Sequence, residues 1–331
     1  MSREGRGSAT ARAVDGVAAG IAAGIARGEV RPLARAISWL EADDPRGPQV
    51  LALLRANRDA PPRARWIGVT GPPGSGKSTL VDRLLATYRE AGRTVAVVAV
   101  DPSSPYGGGA ILGDRIRMMR WHDDPCVFVR SMATRGQLGG LAAAALRTAS
   151  LLEAAGYERV VLETVGVGQS EIDVAEAADT TVLVLAPGAG DGVQMIKAGV
   201  LDVADLFALN KSDLHGAERL RTELLRARRL APRSEGAWTP PLVPLRADRG
   251  DGVADLVTAL DAHDRWRSER EDEEARGERR AAAELAAAVR ALAGRALRGS
   301  LRAFLPDLRS GRVTAETAAA RLLSEAVPSE P

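Results

Sequence analysis

Cysteine, lysine and aromatic side chains are all scarce in this 331-residue chain. The single cysteine, Cys126, rules out an internal disulfide framework and any cysteine-cluster metal site, which suits a reducing compartment. It lies in the apolar run Cys126-Val127-Phe128-Val129 and reads as a buried core thiol. Aromatics make up 3% of the chain against 45% hydrophobic residues, so the core must be built from Leu, Val, Ile and Ala. Net charge is also slight: +2 is too little to argue for a nucleic-acid partner, and no basic run interleaves with aromatics. No apolar run approaches the ~20 residues that a membrane-crossing helix needs. The expectation is a cytoplasmic protein with neither nucleic acid nor membrane as partner. Of 45 basic residues only three are lysines, Lys77, Lys197 and Lys211. In so arginine-rich a chain, a retained lysine points to a place where a compact ammonium is needed rather than a planar guanidinium.

What is present begins with Gly71-Pro72-Pro73-Gly74-Ser75-Gly76-Lys77-Ser78, a complete G-x-x-x-x-G-K-[ST] loop. Its flanks have the required form. Trp66-Ile67-Gly68-Val69-Thr70 reads as a short buried strand, and Thr79 opens a helix with apolar residues at Leu80, Val81, Leu84, Leu85 and Tyr88. Strand, glycine loop and helix N-terminus make an anion site. Lys77 would reach the β/γ-phosphates of a nucleotide, and the Ser78 hydroxyl would be a ligand of Mg²⁺.

The length allows two average domains, or one α/β domain with helical extensions. Residues 1–12, rich in Arg, Ser and Gly, read as a disordered N-terminus, with an organellar transit peptide as the lesser alternative. Residues 13–60 carry helical spacing up to the break at Asp59-Ala60-Pro61-Pro62. From 61 to 265 apolar strand-like runs alternate with helical segments, which predicts a doubly wound, mostly parallel α/β sheet. Its ligands should lie beyond the C-terminal ends of the strands. Asp101, Glu163 and Asn210 all fall at such ends. The charged stretch Arg265–Arg280 reads as a solvated helix or linker. Residues 266–331 end in a helical hairpin whose apolar series Leu285, Val289, Leu292, Leu297, Leu301, Phe304 and Leu308 needs a covering surface, which favours a homodimer arm.

Asn210-Lys211-Ser212-Asp213 matches the guanine-reading motif N-K-x-D. Asp213 can accept from the guanine N1–H and the exocyclic amine. Adenine offers neither donor there, so ATP would leave the carboxylate unpaired. Lys211 can lie along the base plane, and Asn210 can brace neighbouring loops. Glu163-Thr164-Val165-Gly166 stands where most GTPases carry D-x-x-G, with Glu163 near the metal and Gly166 sensing the γ-phosphate. Asp101 and Asp114 offer two further carboxylates.

Val100-Asp101-Pro102-Ser103-Ser104-Pro105, Ile111-Leu112-Gly113-Asp114-Arg115, Arg130-Ser131-Met132-Ala133-Thr134-Arg135-Gly136, Glu163 through Glu171 and Pro187-Gly188-Ala189-Gly190-Asp191 stand in order. They resemble the MeaB/ArgK family, within the signal-recognition/MinD/BioD-like (SIMIBI) class of P-loop proteins, from about residue 20 to 265. The resemblance implies a homodimeric, Mg²⁺-dependent GTPase binding GTP and GDP, with slow intrinsic turnover. Its partner would be an adenosylcobalamin-dependent acyl-CoA mutase, to which it gates cofactor delivery and which it protects. Position by position, Lys77, Asp101 and Glu163 become catalytic candidates and Ser78, Asp101, Asp114 and Glu163 the metal set. Gly188, Asp191, Gln194 and Lys197 match a switch loop that relays the nucleotide state to the mutase, and Lys197 joins the catalytic set. The chain departs from the common Ser-Ala of guanine-binding proteins at Arg246-Ala247, where the Ala247 N–H is still expected to meet the guanine oxygen. Two other functions share the fold: a nickel-insertion GTPase, disfavoured by the isolated His122, His215 and His263, and a kinase linked to basic-amino-acid transport.

Overall fold

A computed structural model describes residues 16–57, 64–101, 119–133, 140–164, 176–188, 204–230 and 236–326. Its centre is one seven-stranded sheet in the order β3-β2-β4-β1-β5-β6-β7. The strands are β1 (Arg65–Thr70), β2 (Val95–Asp101), β3 (Val127–Ala133), β4 (Arg159–Glu163), β5 (Thr180–Leu185), β6 (Leu206–Leu209) and β7 (Leu242–Pro244). Every pairing is parallel. A parallel sheet needs cover on both faces, which explains why β5 and β6 are buried at every position. Helices interleave as the alternation predicts. Residues 16–26 form α1, followed by α2 (Val30–Glu41), α3 (Arg46–Ala56), α4 (Lys77–Glu90), α5 (Gly140–Ala154), α6 (Ala217–Leu230), α7 (Val253–Ser268), α8 (Glu273–Arg309) and α9 (Ala315–Ala326).

The two-residue period of a strand sorts the core into separate packs. Trp66, Ala96, Val98, Val160 and Leu162 share one face with α1, α2, α3, α5 and alanines of α8. Ile67, Val69, Val95, Val97 and Val161 point the other way, onto α4 and α7. A third cluster joins β5 and β6 to α6 through Leu183, Leu185, Phe207, Leu220 and Leu224. Cys126, expected in the core, is half-buried, because it sits in the turn ahead of β3 where Asp124 Oδ1 accepts from its backbone N–H.

The charged stretch before the C-terminal hairpin differs from the expected solvated linker. α7 runs through Ser268, and α8 starts at Glu273 with Asp272 capping its first turn through the Ala275 N–H at 2.8 Å. Arg276 and Arg280 are buried. Together with Arg279 they converge on Asp179, a buried carboxylate at the start of β5. Arg280 also donates to Glu153 Oε1 at 2.6 Å and lies 4.3 Å over the Trp66 ring. Asp179 in turn accepts from the Trp66 N–H at 2.8 Å. Composition cannot distinguish charges facing water from charges facing partners on remote elements; here the partners lie on β5 and α5. Beyond this clamp α8 packs on α5 through Ala283, Ala287 and Ala291, leaving Leu285, Val289 and Leu292 exposed at 66%, 55% and 53%.

Candidate functional site

The phosphate loop leaves the C-terminal end of β1, in the middle of the sheet, and enters α4 at Lys77. Two of its glycines are dictated by geometry. A Cβ on Gly71 (φ +141°) would lie 2.1 Å from the Val184 carbonyl oxygen, and one on Gly76 (φ +94°) 2.2 Å from Asn210 Nδ2. Loop, neighbouring strand and base-reading motif therefore fit only because those side chains are missing. Gly76 is the left-handed N-cap of α4, so the N–H groups of the first turn, Ser78 and Thr79 included, open toward the loop's concavity. Pro72, Pro73, Gly74 and Ser75 form the turn itself, closed by the Ser75 N–H on the Pro72 carbonyl at 3.2 Å.

The sequence points Lys77 at the phosphates of a nucleotide. Here it is buried, with Nζ donating to the carbonyls of Gly71 at 2.8 Å and Pro72 at 3.2 Å. The ammonium thereby holds the arc of the loop from inside, a use for which a guanidinium is too wide.

β4 is hydrogen-bonded beside β1, as expected, and sets Glu163 opposite Val69. Ser78 Oγ donates to Glu163 Oε1 at 2.6 Å, and Glu163 is buried. Two hard oxygen donors side by side at a phosphate loop suit Mg²⁺. The neighbouring Thr164 is fixed by its N–H on the Val69 carbonyl at 3.0 Å and its hydroxyl on Thr70 Oγ1 at 3.1 Å. Asp101 ends β2, two residues beyond Ala99, which lies opposite Glu163, so its backbone reaches the same sheet edge. Asp114, Gly166, Asp191, Gln194 and Lys197 lie outside the described residues. Gly188 is described and forms a left-handed turn (φ +75°) just beyond β5.

The base-reading motif follows β6. Asn210 is buried and bridges two loops: Nδ2 donates to the Ser75 carbonyl at 2.8 Å, and Oδ1 accepts from the Ala247 N–H at 3.0 Å. The bracing role of Asn210 is thus met, but the Ala247 N–H is engaged by Asn210 instead of facing outward for a guanine oxygen. A buried carboxamide oxygen requires a donor, and Ala247 is the one that supplies it. Lys211 adopts a left-handed backbone (φ +54°), rare for a side-chain-bearing residue, and its Nζ donates to the Gly74 carbonyl at 2.9 Å. Its stem therefore spans from the base motif to the phosphate loop. Asp213 is exposed, with Arg246 Nε 3.3 Å from its Oδ1. Arg83 of α4, which carries no sequence signal in so arginine-rich a chain, holds the same loop by donating to the carbonyls of Ala247 at 2.9 Å and Asp248.

The helix N–H groups at the loop, a Ser–Glu oxygen pair and an exposed carboxylate on N-K-x-D are gathered at one edge of the sheet. The family model described as "Methylmalonyl Co-A mutase-associated GTPase MeaB" matches residues 33–299. The chain belongs to the MeaB family. It is 46% identical over 235 residues to a putative GTPase of Pyrococcus abyssi (strain GE5 / Orsay), covering 70% of this chain and 72% of that protein. To "Methylmalonic aciduria type A homolog, mitochondrial" of Mus musculus it is 37% identical over 238 residues, covering 68% of this chain and 57% of that one. The crystal structure of a LAO/AO transport system kinase superposes with a TM-score of 0.65 at 25% identity, over 94% of this chain and 97% of the other. This MeaB-family protein is a P-loop GTPase with an all-parallel seven-stranded sheet.

Proposed function

We propose that this GTPase is the nucleotide-dependent chaperone of an adenosylcobalamin-dependent acyl-CoA mutase, gating delivery of the cofactor to that partner. The observation that carries the reading is the position of β5. It lies between β1, which feeds the phosphate loop, and β6, which feeds Asn210–Asp213. The segment 188–197 therefore leaves the sheet at Gly188, in the centre of the nucleotide edge. A segment starting there can respond to whether a γ-phosphate is present, which is what coupling to a partner requires. The mutase in the matching family's description supports the identity of that partner.

In this reading Lys77 and the α4 N-terminus bind the phosphates, and Asp213 selects guanine. Ser78 and Glu163 hold Mg²⁺, with Asp101 and Asp114 completing the carboxylate set. The metal, when bound, neutralises charge that develops on the phosphates. Gly166 answers to the γ-phosphate, and Asp191, Gln194 and Lys197 relay the state outward. Leu285, Val289 and Leu292, exposed at i, i+4 and i+7 on α8, are the contact face of a homodimer. No helix among the described residues is long and apolar enough to cross a membrane.

The test is the hydrolysis rate with and without a methylmalonyl-CoA mutase, for the wild type and Lys197→Ala. Lys197→Ala should retain GTP affinity and intrinsic turnover but lose most of the mutase-dependent acceleration; coupling of this kind is typically about 5- to 150-fold. Equal stimulation of both proteins, or none of the wild type, would refute the reading.

A further inference from the structure

Arg246 faces the base-reading carboxylate from an independent loop. Its Nε is buried and has no hydrogen-bond partner among the described residues, yet it lies 3.3 Å from Asp213 Oδ1. Side-chain exposure is 21% for Arg246 and 41% for Asp213, so the guanidinium is the more enclosed member of the pair. The anchoring is visible in the backbone. The Arg246 N–H donates to the Asp251 carbonyl at 2.9 Å, and the Arg246 carbonyl accepts from Gly250 at 2.9 Å and Arg249 at 3.1 Å. Arg83 and Asn210 fix the next residue, Ala247, from α4 and from the end of β6.

An aspartate carboxylate turns about a broad, roughly two-fold torsion. Reading guanine requires both oxygens in one plane, one for N1–H and one for the exocyclic amine. A carboxylate offers about four acceptor sites, so one can be held by Arg246 while the others stay available to the base. We infer that Arg246 is a specificity-determining positioning residue, which fixes the plane of Asp213 so that both donors of guanine are met at once. Because a guanidinium stands 3.3 Å from Oδ1, the carboxylate is biased in orientation before nucleotide arrives and loses less freedom on binding. The buried Nε in turn gains a partner once the carboxylate turns to align with it.

The inference rests on Asp213 reading guanine, and calorimetry with GDP, IDP and ADP separates the two. Inosine lacks the exocyclic amine, so the GDP-to-IDP affinity ratio reports use of the second oxygen. Arg246→Ala should weaken GDP by about 10-fold, the effect of one hydrogen bond to a charged group. It should weaken IDP by less, so that the ratio falls, and leave ADP unchanged; Arg246→Lys should restore part of the ratio. If Arg246→Ala does not fold, Arg246→Gln, which keeps the length without the charge, serves in its place with the same expectation. Unaltered GDP affinity would overturn the assignment. So would an equal fall for GDP and IDP, which marks a merely structural role. If Asp213→Asn abolishes the guanine preference while Arg246→Ala changes nothing, the role of Arg246 alone is refuted; if Asp213→Asn changes nothing, the base reading itself fails.

Discussion

Replacing Asp179 by Ala tests the clamp that ties α8 to the sheet. Asp179 is 1% exposed and holds Arg279 Nη2 at 2.9 Å, Arg276 Nε at 3.5 Å and Arg280 Nη2, besides the Trp66 N–H at 2.8 Å. Arg279 also has the carbonyls of Glu176, Ala177 and Ala178, and Arg276 has Glu273, so both keep partners when the carboxylate is removed. Arg280 is the exposed weakness: it would keep Glu153, the Ala64 carbonyl and the Trp66 ring but lose its second counter-charge while still buried. Breaking a buried pair from one side costs about 3–5 kcal/mol. The surviving Glu153 partner puts Asp179→Ala near the lower bound, about 3 kcal/mol, with the lost Trp66 hydrogen bond adding about 1 kcal/mol. Urea unfolding by circular dichroism measures this directly. GDP affinity should be unchanged, because Asp179 precedes β5, at the opposite end of the strands from the nucleotide loops. A loss below about 1 kcal/mol would show that the arginines are held by their other partners and that the clamp is decoration.

Gly76→Ala should weaken GDP by about 10- to 100-fold and lower the melting temperature as well, because the added Cβ meets Asn210 Nδ2 at 2.2 Å, breaks the brace to Ser75 and forces a side chain to a positive φ; unchanged GDP affinity by calorimetry would refute it. If α8 carries the proposed homodimer contact, Leu285→Arg with Leu292→Arg should give a monomer by light scattering where the wild type gives a dimer, and the melting temperature should lose its dependence on protein concentration; a persistent dimer would place the interface elsewhere. Burial pushes the Glu271 carboxyl up, but hydrogen bonds from Arg267 and Arg279 outweigh it and bring the value down from 4.5 to about 2. A carboxylate held low in the folded state stabilises above its unfolded value and loses that contribution as pH falls through the folded one. Glu271→Gln should therefore cost about 1 kcal/mol at pH 7, after allowance for solvent screening, and progressively less from about pH 4.5 down to 2.

The phosphate loop, the alternation of strands and helices and the N-K-x-D site were legible because each is written in consecutive residues. Gly71 through Ser78 read as a strand-end loop from the sequence alone, and in the fold the neighbouring strand sets Glu163 within hydrogen-bond reach of Ser78. What escaped depends on partners far apart in the chain. Arg276 and Arg280 read as solvent-facing because their counter-charges, Asp179 and Glu153, belong to β5 and α5. The apolar series of α8 reads as a face in need of cover, but its pattern does not show that alanines make the contact with α5 and leave Leu285, Val289 and Leu292 outward. Nor does any local pattern reveal that Asn210 accepts from the Ala247 N–H.

In the proposed function Asp213 is the group that selects guanine. Calorimetric titration of the wild type and Asp213→Asn with GDP and ADP tests it most directly. The wild type should prefer GDP over ADP strongly, and Asp213→Asn should lose about 2–4 kcal/mol of GDP binding, roughly 30- to 1000-fold, because the amide presents a donor to a donor. GDP affinity within threefold of the wild type in Asp213→Asn would contradict the account.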